Sequence, residues 1–184
     1  MIKTKADLKF YLQCDRKAQG LPERTGIWQQ IKNLFIPPTI WDFTFSLRCC
    51  EYYANNQYVN TLSGVIYKIR YLRLSEKLGL KIPINSFGPG LKIGHAGGII
   101  VNQNVKIGKN CSIRPYTVIG NKQDGKNEQV PIIGDNVTIG CNVSIIGKIT
   151  VGDNAVIGAG SFVVKDVPAN AVVVGNPARV VRYN

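Results

Sequence analysis

The 184-residue chain holds a single histidine, His95, and five cysteines, Cys14, Cys49, Cys50, Cys111 and Cys141, with no C-x-x-C pair. Those shortages argue against a structural zinc site and against a three-histidine catalytic metal, because each needs several such ligands at short spacing. The expected metal is none. An odd cysteine set fits reduced thiols in a cytosolic protein better than a disulfide framework. No apolar run approaches the roughly 20 residues needed to cross a bilayer. The first ten residues, MIKTKADLKF, lack the apolar core of a signal peptide. These absences lead to the expectation of a soluble, cytoplasmic protein without a transmembrane segment. Acids are scarce too, 11 against 23 Lys and Arg, for a formal charge of +12 spread over both halves. A diffuse excess suits an anionic ligand such as a nucleotide phosphate, or serves solubility alone. It does not make the basic stripe with a reading helix or aromatic platform that nucleic acid requires.

What is present, 45% hydrophobic residues, suffices for one packed domain plus an appendage. Up to Gly79 the period is helical. Thr4 to Asp7 resembles a capping box, followed by Leu8, Tyr11 and Leu12, with Gly20 as a stop. Ile27, Trp28, Ile31, Leu34 and Phe35 predict a second helix, broken by Pro37 and Pro38. Ile40, Phe43, Leu47, Cys50 and Ala54 form a third stripe. Tyr58, Leu62, Val65, Ile66, Ile69 and Leu72 mark a fourth helix, whose other side carries Lys68, Arg70, Arg73 and Lys77 as a solvated face.

Beyond residue 80 a six-residue period takes over. Val101, Ile107, Ile113 and Ile119 keep it, and Ile133, Ile139, Ile145, Val151, Ile157 and Val163 resume it. Small or aliphatic residues recur two positions earlier, at Val105, Cys111, Val137, Val143, Ile149, Ala155 and Ser161. Each hexad supplies a short strand and a turn, and three hexads close one triangular coil of a parallel β-helix. The expected organisation is mainly β: an α-helical N-terminal region over residues 1–80 and a β-helix with a C-terminal tail over 81–184. A narrow β-helix has little interior, so outward apolar residues need neighbours, and a homotrimer is expected. Residues 1–79 offer a route to a dimer of trimers.

The hexads, with the segments I-G-D-N-V-T-I-G, I-G-A-G-S and V-V-G-N-P-A-R-V-V, resemble the hexapeptide-repeat acyltransferases. That family implies a left-handed β-helix, against the general right-handed crossover rule, and acetyl-coenzyme A as co-substrate. Within it, Gly94 to Val101, G-H-A-G-G-I-I-V, is similar to the D-H-A-T-G-I-V-V segment of serine acetyltransferases. The resemblance makes His95 the general base that takes a hydroxyl proton as the thioester is attacked, a task that suits imidazole near neutral pH.

Two departures from that pattern matter. Gly94 replaces the acidic neighbour, and Val130 falls where the family has a loop histidine. No Asp or Glu occurs between Lys77 and Lys122, so His95 is oriented by a backbone carbonyl, by Ser86 or Asn85, or by a loop acid, Asp124 or Glu128. These two acids lie in the polar segment that stretches the spacing between Ile119 and Ile133 from twelve residues to fourteen, expected to project as a loop that carries the acceptor. By the same resemblance Gly120 and Asn121 supply oxyanion N–H groups at the thioester. Cys141 and Ala159, one coil apart, meet the pantetheine arm, while Lys165 and Arg179 meet phosphate. Because a small zwitterion needs charged partners, the lost groups favour a sugar hydroxyl in surface-polysaccharide assembly as acceptor. Free serine is the alternative, and a non-catalytic β-helix scaffold a further one.

Overall fold

The computed structural model describes residues 1–22, 39–122 and 129–184. Three helices come first: α1 (Lys5–Ala18), α2 (Ile40–Asn55) and α3 (Leu62–Leu78). Thr4 with Asp7 and Thr39 with Asp42 form reciprocal capping boxes at the first two, satisfying N–H groups that a helix start leaves open. Gly79 ends α3 in the left-handed conformation, φ 63°, which glycine adopts without steric penalty. The helix expected around Ile27 to Phe35 lies outside the described residues.

The stripe expected to seat the last helix does not do so. Leu62, Val65, Ile66, Ile69 and Leu72 are exposed, together with Lys68, Arg70, Arg73 and Lys77. The inward side of α3 is instead Gly64, Leu74 and Ser75, flanked by half-buried Tyr67, Tyr71 and Leu78. Tyr71 packs on Phe43 of α2, and its hydroxyl donates to Ile82 O at 2.8 Å. Aromatic side chains therefore do the packing that the aliphatic pattern had suggested for the opposite face.

The strands, numbered β1 to β14 in chain order, build a three-sided parallel β-helix. The first side stacks β1 (Leu80–Lys81), β3 (Ile99–Val101), β6 (Val118–Gly120), β9 (Ser144–Ile146) and β12 (Phe162–Val163). A second side stacks β4 (Lys106–Ile107), β7 (Ile132–Ile133) and β10 (Thr150–Val151). The third stacks β2 (Lys92–Ile93), β5 (Ser112–Ile113), β8 (Thr138–Ile139), β11 (Val156–Ile157) and β13 (Ala171–Val174), closed by antiparallel β14 (Arg179–Tyr183). Register runs aliphatic on aliphatic, for example Ile93, Ile113, Ile139 and Ile157 down the third side. Every hexad aliphatic from Val101 to Val163 is buried, as are the small residues two positions before. The corner between the second and third sides is held by an asparagine ladder in the left-handed conformation: Asn110, Asn136, Asn154 and Asn170 pass side-chain amide hydrogen bonds at 3.1–3.2 Å. Asparagine tolerates that backbone and bonds to its copy one coil on.

A buried ionic cluster ties the helices to the first coil. Arg48 on α2 donates from Nε to Asp15 of α1 at 2.7 Å and from Nη1 to Glu51 at 3.0 Å. It also donates to the carbonyls of Phe87 and Gly88, while Asp15 accepts from the N–H groups of Gly90 and Leu91. Every one of these charges is paired and hydrogen-bonded, the condition for burying them. Among the described residues no helix is long and apolar enough to cross a membrane.

Candidate active site

The three corners of the β-helix divide the candidate residues. His95 lies at the corner where the chain passes from the third side to the first. At that corner Ile113 to Ile119, Ile139 to Ile145 and Ile157 to Val163 each take six residues, but Ile93 to Val101 takes eight. The first coil therefore carries two additional residues there. Stacking to the coil below is kept on either side of the excursion: Gly94 N donates to Ile113 O at 2.9 Å, and Tyr116 N to Gly97 O at 3.1 Å. His95 and Ala96 stand between these bonds, both exposed. Among the described residues the exposed imidazole makes no hydrogen bond.

Cys141 and Ala159 occupy the same corner two and three coils further on, each directly after a glycine of the third side, and Gly160 N donates to Cys141 O at 2.9 Å. Gly120 and Asn121 lie elsewhere, at the end of β6, where the first side turns into the second. Lys165 shares that corner, after β12, and is exposed. Arg179 opens β14 and donates to Ala178 O at 2.9 Å. One chain thus brings together His95, Cys141 and Ala159, and separately Gly120, Asn121 and Lys165. It does not bring the two groups together.

The residues expected to orient His95 are placed elsewhere as well. Asn85 exchanges amide hydrogen bonds with Asn55 of α2 at 2.9 Å, and its N–H donates to Glu51 at 2.7 Å. Ser86 is buried beside it, and it borders a cavity of about 220 Å³ with Tyr11, Glu51 and Lys106. Both belong to the corner between the first and second sides. Asp124 and Glu128 lie outside the described residues.

Two residues that the hexad count passed over stand next to His95. Arg114 follows β5 as Gly94 follows β2, so the two stack, and a Cβ on Gly94 would lie 3.3 Å from Arg114 Cγ. Tyr116 lays its ring against Gly98, where a Cβ would lie 2.8 Å from Cδ1. Tyr116 holds φ +60°, and both side chains are exposed. The signal that would have found them is the eight-residue spacing at His95, which shifts the stacking partner of Gly94 from residue 112 to residue 114.

The charge around His95 is positive: Lys92 and Arg114 are exposed, and no described carboxylate pairs with either. Two buried thiols are quiet. Burial pushes Cys49 up to about 12 and Cys111 up to about 11, leaving both protonated near neutral pH. Among the described residues no three His, Cys, Asp or Glu side chains are grouped to hold a metal ion.

Residues 131–165 match the family model described as bacterial transferase hexapeptide (six repeats). Serine acetyltransferase 2 of Arabidopsis thaliana is 36% identical over 111 residues, 60% of this chain and 34% of that protein. Serine acetyltransferase of Buchnera aphidicola subsp. Schizaphis graminum is 36% identical over 132 residues, 66% of this chain and 50% of that protein. The chain therefore spans a third to a half of the length of these curated relatives. Among solved structures, serine acetyltransferase from Brucella abortus strain S19 superposes with TM-score 0.73 at 25% identity, covering 98% of this chain and 71% of that one. The same enzyme in complex with Coenzyme A gives TM-score 0.67 at 22% identity, covering 97% and 68%. The fold is accordingly the left-handed β-helix preceded by helices.

These relatives correct one expectation. A sugar acceptor in polysaccharide assembly is overturned, because curated relatives at 35–39% identity are named serine acetyltransferases. The sugar reading rested on charges missing at two positions along the sequence, whereas in a β-helix a charge also reaches a site from the coil stacked below.

Proposed function

We propose that this hexapeptide-repeat, serine acetyltransferase-like chain is an acetyl-coenzyme A dependent O-acetyltransferase acting on free serine, with His95 as general base. The observation that carries the reading is the two-residue excursion that holds His95 outward at a β-helix corner, inside the segment that resembles the serine acetyltransferases.

The corner running down from His95 suits a long, thin ligand. Cys141 and Ala159 are small there, and a Cβ at Gly97 or Gly160 would meet nothing within 4 Å. The coenzyme supplies an acetyl thioester. Exposed Lys165 and Arg179 offer cations for its phosphates. His95 accepts the serine hydroxyl proton as the oxygen attacks the acetyl carbon, and returns it as the thiol departs. N–H groups at Gly120 and Asn121 stabilise the oxygen that becomes negative. Since His95 and this pair occupy different corners of one chain, the site is completed where the corner of one copy meets that of the next, which a homotrimer provides. Outward apolar residues support the same assembly: Ile100, Val118 and Phe162 are exposed and aligned along the first side. The loop acids Asp124 and Glu128 are assigned to the acceptor side of this shared site. The division at residue 80 and a cytoplasmic location belong to the same reading.

The test is coenzyme A release from acetyl-coenzyme A with L-serine, L-threonine and a panel of sugars. The reading requires serine-dependent release that exceeds hydrolysis and yields O-acetylserine. Release driven by none of the amino acids would overturn it.

A further inference from the structure

His95 has a cation for a neighbour where the serine acetyltransferase pattern it resembles carries an acid. Gly94, the residue before it, carries no side chain, and the space over its Cα is crossed by the stem of Arg114 from the coil below. The next residue in that column is also a glycine, Gly140, so no side chain crowds Arg114 from beneath. Arg114 is exposed and forms no ion pair among the described residues. From Lys77 to Lys122 the sequence contains no acid to neutralise it. A guanidinium is always charged and presents a planar fork that matches a carboxylate.

From this arrangement we infer that Arg114 recognises the carboxylate of the amino-acid acceptor. The inference rests on serine being that acceptor. In serine the carboxylate and the hydroxymethyl group leave the same carbon, so the groups that read them must also be close. Gly94 and His95 are adjacent in the chain, with Cα atoms about 3.8 Å apart, and Arg114 lies over the first of them. The stem of Arg114 thus stacks one residue from His95, a separation that a single amino acid can bridge. This also explains how a chain with Gly94 and Val130 at its two departures retains a charged partner for a zwitterion. Gly94 is what admits the arginine stem, since a longer side chain there would compete for the same space. A carboxylate at that position would occupy the guanidinium itself.

The experiment compares L-serine with L-serinamide, in which a neutral amide replaces the carboxylate, for the wild-type enzyme, Arg114→Ala and Arg114→Lys. Arg114 is exposed, and thermal unfolding together with acetyl-coenzyme A affinity checks that the variants are otherwise intact. Arg114→Ala should raise the KM for serine by about 10- to 100-fold, the range for losing a hydrogen-bonded charged partner, with kcat changed little. Its activity on serinamide should stay the same, so that the preference for serine disappears. Arg114→Lys should recover part of the serine KM. Serine and serinamide weakening together, or neither changing, would overturn the assignment while leaving serine as acceptor. A wild-type enzyme inactive on serine would instead remove the reading on which it rests.

Discussion

Arg48 and Asp15 meet across the junction of helices and β-helix, Nε to Oδ2 at 2.7 Å, with neither side chain reached by solvent. The contact fixes α1 and α2 against the backbone of residues 87–91. Removing Arg48 leaves the Asp15 and Glu51 carboxylates buried without a counter-charge. Arg48→Met is therefore expected to lower stability by about 3–5 kcal/mol in urea unfolding. Asp15→Asn made together with Arg48→Met should cost less than the sum of the single changes, since the uncompensated charge is then smaller. Additive losses would show that the pair does not act as a unit.

Gly94 and Gly140 hold equivalent places on the third side, yet their surroundings differ. A Cβ on Gly140 would lie 2.6 Å from the backbone N of Ala159, which cannot move aside, whereas on Gly94 its one tight neighbour is the flexible stem of Arg114 at 3.3 Å, with Ile113 O at an ordinary 3.8 Å. Gly140→Ala should destabilise by about 1–3 kcal/mol, as overpacking does. Gly94→Ala should stay within about 0.5 kcal/mol of wild type, as surface changes do. Equal losses in thermal unfolding would mean that packing, and not the site, demands glycine at position 94.

Much of this fold was legible because burial follows the hexads: Val101, Ile107, Ile113 and their successors point inward as their spacing says. Charged residues hid the rest. Asp15, Arg48 and Glu51 look like surface residues on helical patterns, and nothing local reveals that all three are buried, with Arg48 pairing both acids. On α3 the aliphatic stripe gave the wrong face, since Tyr67 and Tyr71 do the packing. At the site, His95 was legible from its flanking glycines and its family resemblance. Arg114 and Tyr116 were not, because stacking partners depend on coil length, and the coil at His95 breaks the six-residue count.

Burial separates the cysteines chemically. Cys49 and Cys111, pushed up to about 12 and 11 from an ordinary 9.0, stay as thiols, and only the thiolate reacts. A thiol reagent at pH 8 should label Cys141 before either, and acetyl-coenzyme A should protect Cys141 if the coenzyme follows its corner. The raised values also give alkaline pH a sign. The unfolded state loses these protons near 9 and the folded state only near 11–12, so stability is intact below about 9 and declines as pH rises further. Replacing both cysteines by alanine should flatten that decline in unfolding midpoints measured across the range.

Phe162, Val118 and Ile100 form an outward apolar line on the first side, 36–47% exposed in the single chain. Covering it is what a trimer interface would do. Phe162→Glu should shift the protein from trimer to monomer in analytical ultracentrifugation at micromolar concentration and remove activity with it. A wild-type protein that sediments as a monomer would contradict the shared site.

The most direct measurement is turnover of His95→Ala with L-serine, taken beside its affinity for acetyl-coenzyme A. His95 is the chain's sole imidazole, and the described residues hold no carboxylate beside it to take its place. The account predicts a loss of about two to four orders of magnitude in turnover, the range for losing a general base, with assembly and coenzyme affinity retained. A variant that keeps more than about a tenth of wild-type turnover, far short of the loss of a base, would contradict it.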